Sequence, residues 1–250
     1  MSVQEIPADL MFYISAQQPC SYLPGQQQLN LFADPNTRMD PALYSVLCEL
    51  GFRRSGEYVY APRCPNCQAC LPVRLPVADY RPNRSQRRNW RDNADLQVKL
   101  VEAKYYDEHF LLYQRYLLSR HPDGSMSQTD PQQFQRFFAS SWGETRYVEF
   151  REHNRLLAVS VIDLLRDGLS AVYTFFDPDA QQRGLGVYAV QWMIAETARR
   201  GLDYLYLGYL IHDCDKMAYK AGYRPLQVLR PNGWQWLSAQ THRSATGFSD

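Results

Sequence analysis

Three β-rich segments in close succession constrain this chain more than any other feature. TRYVEFRE (145–152), RLLAVSVIDLL (155–165) and LSAVYTFFD (169–177) are dense in β-branched and aromatic residues. Tight polar turns at Glu152–Arg155 and Asp167-Gly168 separate them. Strands this close in sequence pair as antiparallel neighbours, so an antiparallel meander is predicted. A glycine-rich turn follows. Then come a helix over Val187–Arg200, a strand over Tyr204–Leu207, a short helix over Asp213–Ala221 and a last strand near Gln227–Leu229.

Two helices precede the meander. YYDEHFLLYQRYLLSRH (105–121) has helical apolar spacing and is ended by His121-Pro122-Asp123-Gly124. DPQQFQRFFASSW (130–142) offers Asp130 as N-cap and Pro131 in the first turn. This order of elements resembles the GNAT acyltransferase fold, in which a central helix packs on a mixed sheet. Fold alone does not give function. Ahead of it lie a lead-in segment (1–20), a helix over Pro41–Leu50 stopped by Gly51, and a strand at Tyr58–Tyr60 that enters a cysteine loop. Leu71–Val77 reads as extended, with Pro72 and Pro76 placing it at an edge or in a loop. The expected class is α+β. It comprises a cysteine-bearing, basic N-terminal region (1–100), a GNAT-like C-terminal domain (101–237) and a polar tail (238–250), with the boundary where LQVKLVEA gives way to helical pattern.

A formal net charge of +1 excludes a protein that binds nucleic acid with its whole surface, but permits a local basic patch. The first residues, MSVQEIPADLMFYIS, do not read as a signal peptide, and no apolar run approaches the roughly 20 residues of a membrane helix. A cytoplasmic location without a membrane partner is expected. Its six cysteines are then reduced, metal-bound or catalytic rather than disulfide-paired.

Four motifs carry chemistry. Cys64, Cys67 and Cys70 recur every third residue, and Cys20 is available as a fourth thiol. Such a set suits zinc or an iron–sulfur cluster, though redox-active or inert packed thiols would show the same spacing. Cys48 falls at an apolar helix position and reads as core, and Cys214 as buried. In YRPNRSQRRNWRD (80–92), Arg84, Arg87, Arg88 and Arg91 share a helix face, with Arg81 and Trp90 alongside. That face grips phosphates and stacks on a base, or is a solvated surface. Gln181–Gly186 fits Q-x-x-G-x-G before a helix, where Gly184 and Gly186 let a ligand approach the backbone or simply serve the turn. Finally, YLYLGY (204–209) followed by Lys216, Tyr219 and Lys220 is either a strand-end site or an aromatic core strand with a charged helix.

Together CSYLP (20–24), CPNCQACLPVRLPV (64–77), RPNRSQRRNWR (81–91), TFFDPD (174–179), RGLG (183–186), YLYLGYLI (204–211) and KMAYKAGYRP (216–225) resemble the arginyl-tRNA–protein transferases, specifically their bacterial leucyl-transferring branch. Leu23 stands where eukaryotic relatives carry a further cysteine. The resemblance implies transfer of leucine from leucyl-tRNA to the α-amine of proteins beginning with Asp or Glu, which marks them for degradation by the N-end rule. Arginyl transfer to the same acceptors is the alternative. An acetyl-CoA-dependent N-acetyltransferase and an RNA-binding redox sensor are the rivals of other classes. The tRNA ester is already activated, so the chemistry needs no cofactor; zinc or an iron–sulfur cluster would be structural. An acceptor α-amine has a pKa of about 7.7–8.0, so orientation and oxyanion donors could supply much of the rate. Donors are looked for at Gly184–Gly186 and among Tyr206, Tyr209, Lys216 and Tyr219. Arg74, Lys216 and Lys220 are candidates for the cation that reads the acceptor carboxylate.

Overall fold

The computed structural model describes residues 10–120 and 129–238. The expected helix stop at 121–124 and nearly all of the polar tail lie outside the described residues. In chain order the elements are β1 (Phe12–Ile14), β2 (Gln18–Pro19), β3 (Gln27–Gln28), β4 (Asn30–Ala33), α1 (Pro41–Glu49), β5 (Arg53–Ser55), β6 (Tyr58–Pro62), β7 (Leu71–Pro76), α2 (Arg84–Asp92) and β8 (Gln97–Glu102). They continue with α3 (Asp107–Arg120), α4 (Pro131–Phe138), β9 (Thr145–Glu152), β10 (Arg155–Leu164), β11 (Gly168–Phe176), α5 (Leu185–Arg199), β12 (Tyr204–Leu210), α6 (Asp215–Ala218), β13 (Gln227–Arg230) and β14 (Gly233–Trp236).

The result is a mixed α+β fold around an eight-stranded sheet, ordered β14-β13-β7-β12-β11-β10-β9-β8. The meander forms as predicted: β9 pairs with β10 and β10 with β11, all antiparallel. Helix α5 then carries the chain over to β12, which lies parallel to β11. Successive strand residues point to opposite faces. Val148, Phe150 and Leu205 therefore pack with α5, while Tyr147, Val161 and Phe175 pack with the aromatic faces of α3 and α4. A smaller sheet, β1-β4-β6-β5, lies with α1 over a third core cluster that reaches Tyr206 on β12. Asp130 caps α4 with a capping box, and Pro131 occupies its first turn.

One expectation needs correction. The segment with Pro72 and Pro76 is neither edge nor loop: β7 is an interior strand between β13 and β12. Its ladder to β13 covers only Val73 and Arg74, the positions between the two prolines, so neither missing amide falls inside that ladder. A strand from ahead of residue 95 thus completes the sheet that carries the meander. The strands before α1 were not foreseen, because two- to four-residue pieces rich in Gln and Asn carry no readable period.

The two sheets are locked by one buried network. Arg54 on β5 forks onto Asp163 on β10, with Nε to Oδ2 at 2.7 Å and Nη2 to Oδ1 at 2.6 Å. Thr145 donates to the same carboxylate at 2.7 Å, and Arg54 Nη2 also donates to the Phe138 carbonyl at 2.9 Å. Both charged side chains are fully withdrawn from solvent. Removing one partner strands the other charge, at a typical cost of about 3–5 kcal/mol. Asp163→Asn should lower the unfolding free energy by that order, read as a reduced urea midpoint at unchanged slope. The double variant Arg54→Met/Asp163→Leu should recover much of the loss.

Candidate active site

The parallel ladder of β11 and β12 is short. It holds only Gly168–Ser170 against Tyr204–Tyr206, and beyond those residues the strands part. At the point of parting, Arg53 Nη2 donates to the Ala171 carbonyl at 2.8 Å. β12 is irregular here: its register with β7 shifts between Tyr206 and Gly208, and Gly208 has φ = +77°, a left-handed conformation that side chains resist. Next to it, Tyr209 donates its hydroxyl to the Gly51 carbonyl at 2.8 Å, while its own carbonyl accepts from Lys220 Nζ at 2.6 Å.

A cleft of about 850 Å³ opens beside this end of β12, lined by Tyr209 and Ile211, by Tyr58 and Tyr60 of β6, by Cys20–Leu23 and by the cysteine loop. The Tyr22 hydroxyl is within electrostatic reach of Tyr60, Cys70 and Cys214. Tyr173 on β11 faces Tyr116 of α3, ring centroids 6.4 Å apart. Phenols and thiols thus line a cleft bounded by β12, β7 and β13.

Lys220 is buried. Burial, followed by the positive charge of Arg53, pulls its pKa down to about 7, against the opposing pull of Cys214 and Cys70. Near neutral pH a substantial fraction is uncharged amine. Tyr206 lies away from the thiols: its hydroxyl donates to Asp167 at 2.8 Å, and its pKa is pushed up by burial and by that carboxylate. Arg74 is caged there too. Its guanidinium carbon sits 3.6 Å above the Tyr204 ring and 4.4 Å from that of Trp234, while Nε donates to Gln227 at 2.8 Å. Tyr219 and Lys216 are on the exposed side of α6 and the turn after it. The structure therefore brings Tyr209 and Lys220 together and sets Arg74 with Tyr206 in a separate cluster.

The turn at Gly184 is covered by α2. Asn89 Nδ2 donates to the Arg183 and Gly184 carbonyls at 2.8 and 3.2 Å, and a Cβ at Gly184 would lie 2.8 Å from that nitrogen. Gly186 lies against the Phe176 ring. On its outer side α2 is bare: Arg84, Arg87, Arg88 and Arg91 are exposed, and none makes an ion pair among the described residues. With Trp90 they rim a groove of about 1020 Å³ floored by Ile194, Ala195 and Ala198 of α5. The Trp90 ring packs at a tilt against Tyr188, centroids 5.2 Å apart, and Arg81 turns back onto the carbonyls of Ala78 and Tyr80.

The expected metal site is not borne out. Cys20, Cys64, Cys67 and Cys70 do line one cleft. Yet among the described residues no three Cys, His, Asp or Glu side chains are grouped so as to hold a metal ion. Cys64 Sγ is engaged with the backbone of Leu29, and burial together with the other thiols pushes the Cys70 pKa up to about 12. Cys48 is core as expected, whereas Cys214 is only half-buried. Sequence reasoning missed Arg53. The available signal was adjacent arginines in a strand-like segment, since alternation forces one of Arg53 and Arg54 inward on each face.

The chain belongs to the arginine-tRNA-protein transferase family. Residues 18–88 match that family's N-terminal region and residues 108–230 its C-terminal region. More particularly, it is 52% identical to a protein of Nitrosococcus oceani over 90% of this chain and 95% of that one. It is 49% identical to a protein of Pseudomonas fluorescens over 92% and 98%. Both relatives are named aspartate/glutamate leucyltransferase. Among solved structures it is similar to the C-terminal domain of a putative lysylphosphatidylglycerol synthetase from Agrobacterium fabrum, at 12% identity and a TM-score of 0.45 over 62% of this chain and 51% of that one.

The depressed pKa of Lys220 sets a pH dependence of stability. Unfolded, this amine titrates at its ordinary 10.5; folded, at about 7. Between these values the unfolded state binds the extra proton, so stability rises with pH through that window and is lost as pH falls toward 7. The unfolding free energy of the protein should increase between pH 7 and 9, and Lys220→Met should remove that increment.

Proposed function

We propose that this chain moves leucine from leucyl-tRNA onto the N-terminal α-amine of proteins that begin with Asp or Glu, marking them for degradation. The observation that carries this reading is near end-to-end similarity, at about half identity, to proteins named for that transfer. The parted strands and the groove on α2 support it as a division of labour. The aminoacyl end enters between β11 and β12, and the exposed arginines of α2 hold the tRNA phosphates. The acceptor amine attacks the ester carbonyl and the 3′-terminal ribose departs with the electron pair. The ester is already activated, so no cofactor is drawn into the step, and orientation in the cleft provides much of the rate. A strand–helix–strand unit with parallel strands, preceded by a meander, is the GNAT-like part of the fold. An acetyl-CoA role is disfavoured by α2, which lies across the glycine turn where a pyrophosphate would sit. No helix among the described residues is long and apolar enough to cross a membrane, which suits a cytoplasmic enzyme.

The test is transfer of labelled leucine from charged tRNA to peptides differing only in their first residue. Asp and Glu should be used well; Asn, Gln and Ala poorly. A partly dehydrated cation left without its carboxylate costs roughly 2–5 kcal/mol, or about 30- to several-thousand-fold in kcat/KM. Single changes of Arg74, Lys216 and Lys220 identify the cation: the responsible one loses activity on Asp without gaining it on Asn. Acceptance of Asn within a few-fold of Asp would count against the reading.

The α2 arginines predict salt dependence. Replacing Arg84, Arg87 and Arg88 by Ala should weaken binding to all tRNAs and flatten the log–log salt slope by about 0.7–0.9 for each phosphate no longer neutralised. An unchanged slope would place the phosphates elsewhere.

A further inference from the structure

Strands that part inside a sheet leave backbone carbonyls without amide partners, and buried carbonyls must be satisfied. Here two such groups are served by side-chain cations. On the β11 side, Ala171 O accepts from Arg53 Nη2. On the β12 side, beyond the end of the ladder at Tyr206, Tyr209 O accepts from Lys220 Nζ. Gly208 lies between these points, and a Cβ there would approach Arg53 Nε to 3.6 Å. The guanidinium therefore fills the notch where the strands diverge.

This arrangement is costly. Arg53 is only 7% exposed, has no carboxylate partner among the described residues, and its Nη1 donates to nothing. The Lys220 amine stands close enough to feel its charge. Buried cations without counter-charges destabilise a fold, and an apolar residue of similar volume would fill the notch with less penalty. Local costs of this kind cluster at functional sites.

We propose that Arg53 is a positioning residue for aminoacyl transfer, a wedge that keeps β11 and β12 apart so that the aminoacyl end can enter between them. Lys220 supports the opposite wall by holding the Tyr209 carbonyl. The inference rests on the reading that the opening between β11 and β12 receives the ester. It concerns the fork of the guanidinium, which spans the notch from Gly208 to Ala171, and not its charge alone.

The experiment compares wild type, Arg53→Ala and Arg53→Lys in leucyl transfer to an Asp-initiated peptide, with tRNA affinity and circular dichroism measured on the same samples. A misplacement of about 1 Å can cost on the order of 100-fold in rate. Arg53→Ala should lose about that much in kcat while tRNA Kd and peptide KM stay within a few-fold. Guanidinium ion at tens of millimolar should restore part of its kcat, and ammonium at the same concentration should not. Arg53→Lys should stay well below wild type. Should Arg53→Ala fail to fold, Arg53→Lys decides: wild-type kcat in that variant overturns the inference, as does a loss confined to tRNA affinity in either variant. A wild-type protein inactive with leucyl-tRNA overturns the proposed function, and this inference with it; an active wild type with an equally active Arg53→Lys overturns the inference alone.

Discussion

The bidentate contact between Arg54 and Asp163 is the interaction on which the rest of the molecule depends. It joins β5 of the small sheet to β10, the central strand of the meander, across 109 residues of sequence. A guanidinium fork and a carboxylate fix distance and direction together, which apolar packing does not. Because β5 is held there, its neighbouring residue Arg53 is delivered to the opposite side of the strand, at the parting of β11 and β12. One ion pair thus secures the fold, and strand alternation converts that fixity into the placement of a second arginine where the strands part. The two adjacent residues serve opposite purposes: Arg54 is fully compensated, and Arg53 is not.

Much of this was legible in the sequence, and the reasons are physical. The meander was readable because alternation and tight turns act over a few residues, and α4 because Asp130 and Pro131 mark a helix start chemically. The basic face was readable because helical spacing decides which arginines line up, and Arg84, Arg87, Arg88 and Arg91 do share the outer face of α2. β7 was misjudged for a reason no local rule supplies. Its interior place is set by β12 and β13, whose paired residues lie some 130 and 150 residues away.

The candidate site was legible in part. Tyr209 and Lys220 do meet, but through a main-chain carbonyl and not as a pair of side chains aimed at a ligand. Tyr206 and Arg74 belong to a different cluster, held by Asp167, Tyr204 and Trp234. The cysteines converge as their spacing suggested, yet convergence in one cleft is not coordination. Among the described residues no three of them are grouped so as to hold a metal ion.

What remains is why a transfer enzyme would tolerate two buried cations with so little counter-charge. The answer lies in the demands of the reaction. An ester already activated needs little acid or base, but it needs its carbonyl held in line with an incoming amine, and orientation is a property of the backbone that forms the cleft. A closed parallel ladder would fill that space with hydrogen-bonded strands. Parting the strands opens it and orphans carbonyls on each side. Lys220 and Arg53 satisfy those carbonyls from outside the eight-stranded sheet. The electrostatic cost is then the cost of keeping an opening in an otherwise continuous sheet. It is borne by a fold whose other buried charges, such as Asp163 and Asp177, are fully paired.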